Sequence, residues 1–163
     1  MDGGSPDPRQ SGQRPRREKS LLARALGHLA RREYSRAELA RKLAPHAETA
    51  EQLDQVLGEL EAKKLLSEAR FVEVLARSRG ERFGAARIKQ ELRAHRVQDN
   101  LVRAAVDDLR KSELERARAV WRRRFGEVAP DAAARAKQMR FLAGRGFSAE
   151  AIRKVVAGSD IDD

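Results

Sequence analysis

A chain of 163 residues with 37% charged and only 4% aromatic residues suits solvated helices around thin cores, and without cysteine it can hold neither a disulfide nor a thiolate metal site. No apolar run approaches the roughly 18 residues that cross a bilayer, and no apolar stretch follows the amino terminus, so a soluble cytoplasmic protein is expected. The formal net charge of +10 points to a polyanion, or to a partner already bound to one.

Residues 1–19 hold Gly3, Gly4, Pro6, Pro8, Gly12 and Pro15 and no apolar residue after Met1, which predicts a disordered tail. Its Arg14, Arg16, Arg17 and Lys19 could touch phosphates, though a mobile basic tail also serves solubility alone. A first three-helix unit is expected over 20–66. Its first helix should run from Leu21 to Glu33, with Leu22, Leu26 and Leu29 on one face. Ser35-Arg36-Ala37-Glu38 reads as a capping box that opens a second helix, carrying Leu39 and Leu43 inward and stopping before Pro45. Thr49-Ala50-Glu51-Gln52 reads as another, opening a third helix with Leu53, Leu57 and Leu60 inward.

A second unit is expected over 67–111: helices from Glu68 to Arg82, Ala85 to His95 and Asp99 to Arg110, with a break at Phe83-Gly84. The third, over 112–158, should open with Ser112 capping a helix that buries Leu114, Ala117, Trp121 and Phe125. Pro130-Asp131 starts its second helix, which ends at Gly144-Arg145-Gly146. Ser148 caps the last, with Ile152, Val155 and Val156 inward and Gly158 as the stop. Residues 159–163 form an acidic tail with Asp160, Asp162 and Asp163.

The three units are copies of one another. Phe71 and Leu75 lie 49 residues after Leu22 and Leu26 and 50 before Trp121 and Phe125. The same steps carry Leu43 to Leu92 to Leu142, and Leu57 to Val106 to Val156. Leu39 and Ile88, however, are answered by Gln138. A period of this size implies an all-α array of three tandem three-helix units, each about as small as a stable unit can be, so that neighbours must support one another.

Positive charge grows along the array. There are eight basic against seven acidic residues in 20–66, eleven against seven in 67–111, and eleven against five in 112–158. On the middle helix of the second unit Ile88 and Leu92 point inward, and Lys89, Arg93 and Arg96 line an adjacent stripe. Arg118 and Arg122 lie along the flank of the following unit's first helix, with Arg123 and Arg124 further round.

Catalytic patterns are absent, and no enzyme is expected. The glycines form no phosphate loop, and His46 and His95, at one repeat position, come without carboxylate or cysteine partners for a metal. No cofactor or small-molecule substrate is called for. Trp121 falls where Phe71 and Leu22 fall, which makes it a core residue rather than a base-stacking one. Helix-turn-helix modules reading a major groove are the alternative, a tandem DNA-binding protein acting by itself. Against it, the turns after Ala44 and His95 differ from a tight recognition turn, and basic residues along helix flanks favour phosphates over bases.

In order along the chain stand Leu29-Ala30-Arg31-Arg32-Glu33-Tyr34-Ser35, Glu38-Leu39 and Leu43, then Arg70-Phe71, Arg79, Gly84, Ile88 and Glu91-Leu92, then Arg124-Phe125, Arg140-Phe141-Leu142 and Gly146-Phe147-Ser148. From about Leu21 to Val156 this series resembles the RecX family of regulatory proteins. The acidic pair usual before the Arg-Phe motif is Ser67-Glu68 here, and the amino-terminal tail has no counterpart. The resemblance implies an elongated, curved array that lies in the groove of a RecA recombinase filament on single-stranded DNA; a monomer is expected, separately from the resemblance. There it would hinder ATP hydrolysis, strand exchange and stimulated repressor cleavage. Periodicity and charge, rather than the motifs, select Lys89, Arg93, Arg96, Arg118, Arg122, Arg140 and Arg145 as the surface contacting filament or DNA.

Overall fold

A computed structural model describes residues 18–158; the tails expected at 1–19 and 159–163 lie outside the described residues except for Glu18 and Lys19. Within them the chain is all-helical. The helices are α1 (Leu21–Leu29), α2 (Arg36–Leu43), α3 (Ala50–Ala62), α4 (Glu68–Gly80), α5 (Ala85–Ala94), α6 (Asp99–Lys111), α7 (Glu113–Arg124), α8 (Ala132–Gly144) and α9 (Ala149–Val156). Pro45 sits in a single 3-10 turn, Ala44–His46, after α2. No helix among the described residues is long and apolar enough to cross a membrane.

Short polar side chains set most helix starts. Ser20, Ser35, Thr49, Ser67, Asp131 and Ser148 each accept a hydrogen bond from the amide three residues on, satisfying a donor that the helix leaves without a partner. The two capping boxes are only half formed. Glu38 turns away from Ser35 to accept from Arg32, and Gln52 reaches one residue further back, to the Glu48 amide at 2.8 Å. Ser112 is not a cap at all. The chain passes from α6 to α7 through this one residue, and the Ser112 hydroxyl instead accepts from the Arg116 guanidinium at 3.0 Å.

Three core clusters follow one another along the chain, centred on Leu39 and Leu43, on Ile88 and Leu92, and on Trp121 and Leu142. The repeat position Leu43, Leu92, Leu142 is fully buried in every copy. Two expectations fail in α1. The helix stops at Leu29 rather than Glu33, and Leu26, predicted to point inward, is 39% exposed while Leu21 and Ala25 are buried. Gln138, the polar residue in an apolar register, is buried because Trp121 demands it. The indole N–H donates to Gln138 Oε1 at 2.9 Å, and Gln138 Nε2 donates to the Glu127 carbonyl at 3.1 Å.

Each unit joins the next by the same device. Glu68, the first residue of α4, accepts from the Arg36 amide at the start of α2 (3.3 Å). Glu113, the first residue of α7, accepts from the Ala85 amide at the start of α5 (3.1 Å). Arg36 and Ala85 occupy the same repeat position, so a carboxylate from the following unit repeatedly neutralises the positive end of the preceding unit's second helix. The second helices also meet end to start. The Gly84 amide, before α5, donates to the carbonyl of Arg145, after α8, at 2.8 Å. His95, after α5, lies with Nδ1 3.8 Å from Glu38 Oε2 in the first turn of α2. Among the described residues no hydrogen bond or ion pair links the first unit to the third.

Candidate functional site

Several basic residues are held by contacts between or within the units and are not free for a partner. Arg70 pairs with Glu33 at 3.0 Å and donates to the Lys64 carbonyl at 2.7 Å, tying α4 to the preceding unit. Arg79 pairs with Glu91 at 3.0 Å across α4 and α5. Arg116 donates to the carbonyls of Gly80 (2.9 Å), Phe83 (2.6 Å) and Leu109 (2.7 Å), gathering the ends of α4 and α6 under α7. Burial pushes the pKa of its guanidinium below its ordinary value, an effect opposed by the nearby Glu113. These arginines hold the array together.

The first joint also carries a pH response. Glu38 accepts two hydrogen bonds from Arg32, and these hold its carboxyl below the ordinary 4.5 against the opposing effect of burial. A carboxyl whose value is lowered on folding contributes stability that is present above the unfolded value and lost as pH falls through the folded one. Glu38→Gln is therefore expected to leave less acid-dependent stability below pH 4.5, read from thermal midpoints of both proteins against pH. Equal slopes in that range would exclude this pair as a contributor.

The seven residues selected from the sequence fall into three groups. On α5, burial of Ile88 and Leu92 turns Lys89 and Arg93 outward, and Arg96 follows the helix in the left-handed conformation at φ 54°. Arg93 and Arg96 are exposed and Lys89 is half-buried; none of the three has an ion-pair partner among the described residues. Arg118 and Arg122 lie elsewhere, on the side of α7 that faces α9, where with Trp121, Val128 and Lys154 they line a cavity of about 440 Å³. Arg140 is exposed on α8, whereas Arg145 reaches the joint between the second and third units.

At that joint Arg145 enters a cluster that the sequence reading did not assemble. Around the Phe83 ring the guanidinium carbons of Arg87, Arg145 and Arg82 lie 4.0, 5.3 and 5.5 Å from the centroid. Arg145 and Arg124 lie 5.1 and 5.7 Å from the centroid of Phe141, which packs edge-on against Phe125. Beside these rings a cleft of about 390 Å³ is lined by Glu81, Arg82, Val120, Arg123, Arg124, Phe141 and Arg145. Glu81 is its one carboxylate. Arg82 and Arg87 were passed over because they sit on either side of the break at Phe83-Gly84. The available signal was the tripeptide Arg-Phe-Gly, which recurs at 82–84 and 124–126 outside the 49- to 50-residue register.

Comparison with known proteins places this architecture. Family models described as the second and third three-helix domains of RecX match residues 67–106 and 111–156. Regulatory protein RecX of Ralstonia nicotianae is 48% identical over 151 residues, covering 91% of this chain and 95% of the relative. That of Leptothrix cholodnii is 52% identical over 141 residues, covering 86% and 90%. The crystal structure of RecX from Lactobacillus salivarius superposes with a TM-score of 0.70 at 19% identity, over 84% of this chain and 92% of that one, which shows a shared fold. With nearly half its residues shared across almost its whole length, the chain belongs to the RecX family of regulatory proteins.

Proposed function

We propose that this protein regulates the RecA recombinase by binding its filament on single-stranded DNA, and that it mainly inhibits ATP hydrolysis, strand exchange and stimulated repressor cleavage. Family membership supports this reading. The observation that supports this chain's part in it is the contrast among its cations: Arg70 and Arg116 are spent on joints and Arg79 on a pair inside the second unit, while Lys89, Arg93 and Arg96, on and just after α5, have no ion-pair partner among the described residues. A row of cations along one helix flank suits the phosphates and acidic surfaces of a nucleoprotein better than it suits base edges. In this reading the units are 20–66, 67–111 and 112–158, and the protein works in the cytoplasm without catalysis. Arg118, Arg122, Arg140 and Arg145 extend the contact surface into the third unit.

The test is recombinase ATPase on single-stranded DNA, titrated with this protein below stoichiometry. Strong inhibition is expected, and Lys89→Glu, Arg93→Glu and Arg96→Glu together should raise the half-inhibitory concentration at least about tenfold while helicity is kept. Inhibition unchanged by the triple reversal would remove α5 from the interface. No inhibition at any ratio, together with tight binding to naked DNA whose log–log salt slope is about −0.9 per phosphate contacted, would favour a DNA-binding protein acting without RecA.

A further inference from the structure

The cleft between the second and third units is built from arginines of both sides. Arg82 comes from the turn after α4, and Arg123, Arg124 and Arg145 from α7 and the end of α8, while Arg87 stacks on Phe83 beside the cleft. Arg123 donates to the Glu81 carbonyl at 2.7 Å across the joint, but Arg82, Arg124 and Arg145 have no ion-pair partner among the described residues. Several other arginines in this chain are matched by carboxylates: Arg32 has Glu38, Arg36 has Asp54 and Glu61, and Arg79 has Glu91. Here four guanidiniums line one cleft with Glu81 alone. The surplus of about three positive charges, gathered where the two units meet, is a mutual repulsion that an anion in the cleft would offset.

We infer that this cleft is a clamp for consecutive phosphates of a nucleic-acid strand, and that filling it fixes the second and third units against each other. Planar guanidinium forks bind phosphate oxygens in pairs, and a phosphodiester backbone supplies one negative charge per residue, so about three successive phosphates match the surplus. A single side-chain carboxylate would leave most of it uncompensated. The rings of Phe83 and Phe141 hold Arg145, Arg82, Arg87 and Arg124 in place from the apolar side, so little side-chain freedom is lost on binding. Closure has its own reporter, the Gly84 amide bonded across the joint to the Arg145 carbonyl.

The inference rests on reading the protein as one that faces nucleic acid, but it does not involve the recombinase. Its test is the fluorescence anisotropy of a labelled oligothymidylate, with a duplex of equal length as a second arm. Arg82→Gln with Arg145→Gln is expected to weaken binding at least about tenfold and to reduce the log–log salt slope by about 1.4, or 0.7 for each lost contact on a single strand. Arg123→Gln with Arg124→Gln, from the same cleft, should do likewise, which guards against a folding defect in the first variant. Arg103→Gln with Arg110→Gln removes the same charge from exposed positions on α6 and should change binding little.

On binding, exchange of the Gly84 amide should slow by about tenfold or more, because opening of the joint is what exposes it. Preference for the single strand or the duplex identifies which backbone is held. Three results would overturn the clamp: equal losses in the α6 control, an unchanged Gly84 exchange rate at saturation, or displacement of the strand by pyrophosphate at comparable concentration. Absence of oligonucleotide binding by the parent protein, with inhibition of the recombinase intact, would strike the clamp alone. Normal oligonucleotide binding without any inhibition would strike the filament reading alone.

Discussion

Gly84→Ala is expected to destabilise the protein by about 3 kcal/mol, because the added methyl has no place to go. A Cβ at Gly84 would lie 2.2 Å from the Gly146 carbonyl oxygen, 2.3 Å from its carbon and 2.4 Å from the Phe147 amide nitrogen. All three are backbone atoms of the neighbouring unit, so no side chain can turn aside. Gly84 itself has an ordinary φ of −79°, which means that its absence of a side chain serves space and not backbone conformation. Gly146 meets it from the other side with a φ of +87° and a hypothetical Cβ 2.6 Å from that of Arg87. The expected lesion is separation of the second and third units, with loss of the Gly84 to Arg145 hydrogen bond. Urea unfolding followed by helicity measures it, and Gly58→Ala gives the control. Gly58 lies inside α3 with nothing within 4 Å, so alanine there should stabilise by about 0.5–1 kcal/mol. Equal stabilities for Gly84→Ala and the parent would show that the two backbones need not approach so closely.

Trp121→Ala is expected to cost about 3–5 kcal/mol, since it empties the centre of the third core and also strands a polar partner. The informative experiment is the cycle around it. Trp121→Phe keeps an aromatic ring but leaves Gln138 Oε1 buried without its donor, and Gln138→Leu leaves the indole N–H without its acceptor; each should cost about 1–3 kcal/mol. The pair Trp121→Phe with Gln138→Leu recreates the apolar combination that Phe71 and Ile88 form in the second unit. Its cost should fall short of the sum of the single costs by about 1–2 kcal/mol. Strict additivity by chemical denaturation would mean that the hydrogen bond contributes no coupling.

Helix starts were legible because they depend on local chemistry: a hydroxyl or carboxylate at Ser35, Thr49, Asp131 or Ser148 needs only the amide three residues on. The repeat was legible for the same reason, since a fully buried position such as Leu43, Leu92 and Leu142 keeps its spacing in each copy. What periodicity cannot say is how much of a face is covered, and Leu26 has the spacing of a core residue with too little above it. It also cannot say what a long side chain reaches. Glu113 looks like part of a local cap, yet its partner amide lies 28 residues earlier in the chain. The candidate site shows the same division. The α5 stripe was readable from one helix, whereas the meeting of Arg82, Arg87 and Arg145 around Phe83 exists only because two units close on each other. Gln138 looked like a lapse in the repeat and proved to be a consequence of the single tryptophan.

The end-to-start meeting of the second helices also gives the molecule a direction. The close of α8 faces the opening of α5, and the close of α5 faces the opening of α2, so the peptide dipoles of all three point the same way. Their internal ends largely neutralise one another, leaving partial positive charge at the free start of α8 and partial negative charge beyond α2. The array is therefore a vector and not a symmetrical rod. Set against any polar track, whose two senses differ, it has one favoured heading, and reversing it would turn both charged tips to the wrong neighbours.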